Sequence, residues 1–218
     1  MSRKEHNLKV FAPVLAAFLL TALLLTGCAH TAPTEAAALP AAAETPAVSG
    51  TGKEPYQTDP VPDGKPNPVE PENAQITDAE YTCTLSISCA TILDNLDLCE
   101  AEKVELVPSD GWILEPTVVT FYEGESVFDV LQRTCKQQKI HMEFSDTPVY
   151  NSAYIEGIAN LYEFDVGNLS GWMYRVDGWF PNYGCSRYQL QDGDVVEWVY
   201  TCDLGNDVGG GMATGSAG

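Results

Sequence analysis

Two segments near the end of the chain, GWMYRVDGWF at residues 171–180 and GDVVEWVY at residues 193–200, decide the fold. Apolar and polar side chains alternate in each, and this period of two is typical of a half-buried β-strand. Asp177-Gly178 interrupts the first segment with the dipeptide that favours a type I′ hairpin turn. The segments therefore predict a strand over 172–176, a tight turn and a return strand that begins at Trp179.

The chain before these segments carries one well-marked helix start and several short runs of strand type. Ser126 and Asp129 have the spacing of a capping box, and apolar side chains recur at helical spacing over 127–135. Strand-type runs lie at residues 82–89, 104–107, 117–122, 140–144 and 195–201. Strands, one main helix and then more strands predict an α+β domain with a β-grasp-like mixed sheet.

The N-terminus has the order of a lipoprotein signal peptide. A basic start precedes the apolar run Val10–Leu25, which is shorter than the roughly 20 residues of a transmembrane helix. Residues 25–28 read Leu-Thr-Gly-Cys and resemble the lipobox of bacterial lipoproteins, in which cleavage just before the Cys accompanies its acylation. The resemblance implies a signal peptide over residues 1–27, a lipid on Cys28 and display on the extracellular face of the cell membrane. An ordinary secretory peptide is the alternative.

Composition divides the rest of the chain into a tether, a domain and a tail. Residues 28–75 are rich in Ala, Pro and Glu and nearly free of large apolar side chains, so they predict a disordered tether. Residues 76–208 carry the apolar patterning and predict one folded domain. Residues 209–218 predict a flexible Gly-rich tail.

The charge balance excludes one class of partner. The chain has 11 Lys+Arg against 31 Asp+Glu and a formal net charge of −20. Nucleic acid requires a basic surface that displaces counterions from its phosphates, so it is excluded. An acidic protein also repels anionic lipid headgroups, and contact with the membrane is therefore expected only through the N-terminal lipid.

No pattern of residues predicts catalysis or metal binding. Hydrolase, metalloprotease and phosphate-loop motifs are missing from the sequence. His141 lies in a strand-like run, which is typical of a half-buried structural residue. The carboxylate pairs Asp192/Asp194 and Asp203/Asp207 are typical of turns, where Asp caps nearby backbone groups. The sequence predicts a protein that is not an enzyme and that requires no metal or cofactor.

Seven cysteines are present, and six remain if Cys28 is lipidated. An even number outside the membrane predicts a disulfide framework, and the spacing leaves the pairing open. Buried free thiols, which pack as small apolar side chains, are the alternative. The six candidates are Cys83, Cys89, Cys99, Cys135, Cys185 and Cys202.

Aromatic side chains crowd the region around the predicted hairpin. The candidates for ligand contact are Trp172, Tyr174, Trp179, Phe180 and Tyr183. Small β-domains also use aromatic side chains as their core, and Trp172 and Tyr174 share the inward face of the predicted strand. Trp179, Phe180 and Tyr183 follow the turn, where loops carry function, and are the better candidates.

The helix start EGESVFDVL at 123–131, the run YIEGI at 154–158 and the two segments quoted first occur in a fixed order. Together they resemble the transcobalamin-type C-terminal domain of bacterial surface proteins and lipoproteins, over residues 81–208. The resemblance implies a β-grasp-like domain. In the vitamin B12 carriers a related domain closes one side of a corrinoid site, so the resemblance implies cobalamin as a bound ligand.

Two functions of different classes follow. The first is a membrane-anchored, non-catalytic ligand-binding domain for cobalamin or a similar large cofactor. A partner protein is expected to complete the site, because a single β-domain covers one face of such a ligand. The alternative is a protein- or cell-wall-interaction module of adhesin type with no small-molecule site.

Overall fold

A computed structural model describes Tyr56 and residues 60–211 of the chain. The predicted signal peptide, the lipidation site Cys28, most of the predicted tether and the end of the predicted tail lie outside the described residues. No helix among the described residues is long and apolar enough to span a membrane.

The described residues form strands, helices and short 3₁₀ turns. In chain order the strands and α-helices are β1 (Glu80–Ser88), α1 (Ala90–Leu93), β2 (Trp112–Tyr122), α2 (Val127–Gln138), β3 (Met142–Thr147), β4 (Ser152–Ile158), β5 (Leu161–Tyr162), β6 (Gly171–Val176) and β7 (Val195–Thr201). The 3₁₀ turns are Pro71–Asn73, Val104–Leu106, Cys185–Arg187 and Asn206–Val208. The predicted strand over 104–107 is wrong, because hydrogen bonds within the turn, such as Leu106 N to Lys103 O at 2.9 Å, satisfy its backbone locally.

The strands form two sheets. The larger sheet has the order β2-β1-β7-β6, with β1 and β7 parallel at its centre and both outer pairs antiparallel. The smaller sheet has the order β3-β4-β5 and is antiparallel. Together with the one long helix, these sheets confirm the predicted α+β class and its β-grasp-like mixed sheet.

Helix α2 begins at the predicted capping box. The Ser126 side chain accepts a hydrogen bond from Asp129 N at 3.2 Å, and the Asp129 carboxylate accepts one from Ser126 N at 2.8 Å. The helix ends at Gln138, and the C-cap residue Lys139 has the left-handed conformation with φ 58°. Its buried side chains, such as Leu131, join those of the central strands, such as Leu85 and Trp198, in one core.

The predicted hairpin turn forms, but its return strand does not. Asp177 and Gly178 have φ values of 50° and 74°, as a type I′ turn requires. Pairing back onto β6 is limited to one bridge between Val176 and Trp179. Pro181 follows closely and has no N–H to continue a ladder. Strand β7 is instead the partner of β6 over its whole length.

Candidate functional site

Trp172 and Tyr174 of β6 are core residues. Trp172 is 8% exposed, and its indole N–H donates to Leu161 O at 2.9 Å. The Tyr174 hydroxyl donates to Tyr183 O at 2.7 Å, and burial raises its pKa well above the usual value. Their rings pack against those of Tyr200 and Trp198 of β7. Both side chains therefore join the two strands, and little of their surface is left for a ligand; their role in ligand contact stays a prediction.

The residues after the hairpin turn form an aromatic cluster, which we define as Trp179, Tyr183 and Tyr188. Tyr183 and Tyr188 stack with centroids 6.2 Å apart, and the Trp179 ring meets Tyr183 edge-on at 6.0 Å. Trp179 is half-buried, whereas Tyr183 and Tyr188 are buried. Phe180 is also buried and lies 5.8 Å beneath the Arg175 guanidinium. Within the predicted set, Trp179 keeps the largest exposed surface.

Two open grooves adjoin this region and share the residues Thr147, Ser152 and Ala153. The first, called the helix groove, has a volume of about 510 Å³ and runs along the start of α2, with Ser126 and Phe128 in its wall. The second, called the tyrosine groove, has a volume of about 400 Å³. Its aromatic lining consists of Tyr56, Tyr150, Tyr154 and Tyr183. Tyr183 is thus the predicted residue that reaches a groove.

The β3–β4 hairpin positions the tyrosines that the sequence did not single out. Its turn is closed by Tyr150 N donating to Thr147 O at 3.0 Å, and Asn151 adopts φ 46°. Val149 and Tyr150 at the tip are 73% and 59% exposed. The Pro148-Val149-Tyr150-Asn151 run between two strand-type segments was the sequence signal for this turn, because Pro and Asn favour tight turns.

Carboxylates accept hydrogen bonds from residues in the wall of each groove. The Tyr154 hydroxyl donates to the Glu163 carboxylate. Burial is the largest cause of the raised pKa of Tyr154, and this hydrogen bond is the second. The Asn151 amide, which lines the helix groove, donates to the carboxylates of Glu70 and Glu72. Burial likewise raises the pKa of Tyr183. The hydroxyls of Tyr154 and Tyr183 are neutral near pH 7 and donate within the protein, to Glu163 and to Pro66 O, so these two residues offer a ligand mainly their rings.

Residues 60–75, which we call the strap, pack against the domain although the sequence assigns them to the tether. The Tyr183 hydroxyl donates to Pro66 O at 2.7 Å, and Val69 N donates to Arg187 O at 2.9 Å. The Arg187 side chain is fully buried and forms an ion pair with Glu70 at 2.6 Å. The folded unit therefore begins before residue 76. Sequence reasoning missed the strap because these two partners, Tyr183 and Arg187, lie more than 100 positions away in the chain.

The six cysteines of the described residues are all free thiols in the structure. Cys83, Cys89, Cys135 and Cys185 are buried, whereas Cys99 and Cys202 are half-buried. Burial raises the pKa of Cys83, Cys89 and Cys185 to about 12 from the usual 9.0. The disulfide framework stays a prediction.

Asp192, Asp194 and Asp207, three of the aspartates considered as candidate catalysts, have structural partners. Asp192 accepts a hydrogen bond from Thr82 N at 3.1 Å, and Asp194 accepts one from Gln191 N at 2.9 Å. Asp207 accepts one from Cys202 N at 2.7 Å. The prediction of a half-buried strand residue at His141 is wrong, because His141 precedes β3 and is exposed, 3.4 Å from the Glu143 carboxylate. Within residues 60–211, no group of three or more His, Cys, Asp or Glu side chains is arranged to hold a metal ion.

Comparison with protein families finds a match to part of the chain. Residues 124–202 match the family described as "Domain of unknown function (DUF4430)". The matched stretch runs from the start of α2 to the end of β7 and includes the tyrosine-bearing hairpin and the aromatic cluster. A comparison with curated proteins finds no match.

Comparison with solved structures gives matches at low identity and low TM-score. Haptocorrin in complex with Cbi has 15% identity and a TM-score of 0.43, over 59% of this chain and 26% of the haptocorrin chain. A Ruminococcus gnavus protein, named as a candidate metal-binding protein, has 14% identity and a TM-score of 0.34, over 56% of this chain and 96% of that one. The matched region thus spans about a quarter of the haptocorrin chain.

Proposed function

We propose that this protein is an extracellular, membrane-anchored lipoprotein whose domain binds a ligand without catalysing a reaction. The observation that carries the proposal is the pair of adjoining grooves, one of them lined by Tyr56, Tyr150, Tyr154 and Tyr183. Ligand sites are concave, largely apolar and equipped with a few polar groups that fix orientation. The tyrosine rings supply the apolar contact, and Thr147 and Asn182 in the same lining add polar side chains.

The ligand we propose is cobalamin or a similar large cofactor, held together with a partner protein. The sequence resemblance to the transcobalamin-type domain supports this choice. The grooves are open to one side, whereas ligand sites usually enclose about 70–90% of a drug-sized ligand. A second protein surface is therefore needed to cover the exposed face, and binding by this chain alone is expected to be weak.

Anchoring rests on the lipobox at residues 25–28 and on the basic and apolar segments before it. We expect mass spectrometry of the membrane-extracted protein to find Cys28 as the N-terminal residue with an attached lipid. Two acyl chains hold a protein durably, because each buried methylene contributes about 0.8 kcal/mol. A free N-terminus at another residue would contradict the anchoring proposal and leave the ligand site untouched.

Cobalamin binding is tested by equilibrium dialysis of the full chain against cyanocobalamin. We expect saturable binding that weakens about 10-fold in the double variant Tyr150→Ala/Tyr154→Ala, because aromatic contacts contribute about 0.5–1.5 kcal/mol each. Tyr81→Ala is the matched control, since Tyr81 is a comparably exposed tyrosine on β1 that lines neither groove. Circular dichroism establishes that the variants are folded.

The alternative function is a protein- or wall-interaction module, and the exposed tip of the β3–β4 hairpin favours it. Val149 and Tyr150 are consecutive residues at this tip, and both are largely exposed. No saturable cobalamin binding up to about 1 mM, which corresponds to roughly −4 kcal/mol, would overturn the cofactor proposal in favour of this module.

A further inference from the structure

The strap lies on the aromatic cluster in the manner of a bound peptide. Lys65 Nζ is 5.4 Å from the centroid of the Trp179 ring, and the next carbonyl, Pro66 O, accepts the Tyr183 hydroxyl at 2.7 Å. Aromatic surfaces bind extended segments through contacts of these two kinds. In one, a cation lies over an indole ring; in the other, a tyrosine hydroxyl donates to the carbonyl of a proline. The aromatic surface predicted to meet a ligand is thus covered by the chain itself.

A second set of contacts fixes the register of the strap. Val69 N donates to Arg187 O at 2.9 Å, and the carboxylate of Glu70 is 2.6 Å from Arg187 Nη2. The Arg187 side chain is fully buried, and the Tyr56 ring lies 5.1 Å from its guanidinium carbon. The Asn151 amide also contacts the Glu70 carboxylate. A buried guanidinium demands an anionic partner, so Glu70 anchors one position of the strap.

The sequence of the strap suits this mode of binding. Residues 65–70 read Lys-Pro-Asn-Pro-Val-Glu, and Glu70 has φ −64° and ψ 133°, close to polyproline II. Proline-rich segments are extended before they bind, so they lose little conformational entropy on an aromatic-lined surface. Polyproline II also makes no hydrogen bonds within itself, which leaves the Pro66 carbonyl and the Val69 amide available to the domain.

From these contacts we propose that the aromatic cluster and Arg187 form a receptor site for an extended, proline-rich peptide of the pattern Lys-Pro-x-Pro-x-Glu. The strap is its resident ligand. A tethered segment reaches an effective concentration in the millimolar range, so the strap excludes a free peptide of equal affinity. When the strap is displaced, the same face accepts a segment of this chemistry from another chain. This inference concerns a peptide rather than cobalamin, and the receptor site shares Tyr183 with the tyrosine groove.

The proposal is tested with a fluorescent peptide of residues 60–75 and the full chain. In the variant Glu70→Lys, a cation faces the buried Arg187 and displaces the strap. We expect this variant to bind the free peptide at least 10-fold more tightly than the wild-type chain does. Glu102→Lys is the matched control, because Glu102 is an exposed residue outside the strap and the charge change is identical. A peptide with Gln at position 70 is expected to bind about 10-fold more weakly.

Hydrogen exchange gives a second readout that does not depend on Glu70→Lys being folded. The Val69 amide is expected to be protected in the wild-type chain, and Tyr183→Phe, which removes the hydroxyl from Pro66 O, is expected to speed its exchange about 10-fold. Exchange in β1 and β7 should stay unchanged. The proposal is overturned if Val69 exchanges in the wild-type chain at the rate of an unstructured amide. It is equally overturned if folded Glu70→Lys binds the peptide no better than a scrambled sequence.

Discussion

Substituting Gly124 with alanine is expected to lower the free energy of unfolding by about 3 kcal/mol. This cost combines the strain of a left-handed backbone conformation in a residue with a Cβ and the overpacking that the Cβ causes. Gly124 has φ 89°, and a Cβ atom there would lie 2.2 Å from Gln75 O at the end of the strap. The contacting atom is a backbone oxygen, so a rotamer change cannot relieve the clash. Thermal unfolding followed by circular dichroism measures the loss.

Gly167→Ala is the matched control for Gly124→Ala. Gly167 has φ 94°, nearly the same backbone strain, but nothing lies within 4 Å of the position of its Cβ. We expect this substitution to cost only about 1 kcal/mol, the strain contribution by itself. Equal destabilisation by the two substitutions would mean that the strap does not pack against Gly124.

Alkylation of the buried cysteines is expected to be about 1,000-fold slower in the folded protein than after denaturation. The thiolate is the reacting species, and burial raises the pKa of Cys83, Cys89 and Cys185 to about 12 from the usual 9.0. Between pH 7 and 9 the rate should rise about 10-fold per pH unit, because the thiolate fraction grows until the pH reaches the pKa. Peptide-resolved mass spectrometry measures each site.

Cys99 is the internal control for the alkylation experiment. It is half-buried, and although burial raises its pKa as well, its sulfur is more accessible than those in the core. We expect it to react before Cys83, Cys89 and Cys185 at every pH. Cysteines that stay unmodified in denatured, unreduced protein would be disulfide-bonded. That result would support the disulfide framework predicted from the sequence and contradict the free thiols of the structure.

Local sequence patterns determined the elements whose stabilising contacts are themselves local. The capping box of Ser126 and Asp129 starts α2 because both hydrogen bonds close within one turn. The type I′ turn at Asp177-Gly178 forms because these residues tolerate positive φ. Alternation over 172–176 and 195–201 likewise identified two strands of the mixed sheet.

Tertiary structure alone decided which strands pair and which surfaces are covered. Strand β7 lies between β1 and β6 and pairs with both of them. No local pattern in the sequence encodes which strands become its neighbours. Residues 60–75 read as a tether by composition, yet the fully buried Arg187 provides a charge partner for Glu70 more than 100 positions away. The sequence by itself determined local conformation and the α+β class. Long-range burial decided strand order, the tyrosine groove and the docked strap, because the free energy of those contacts depends on residues that only the folded chain brings together.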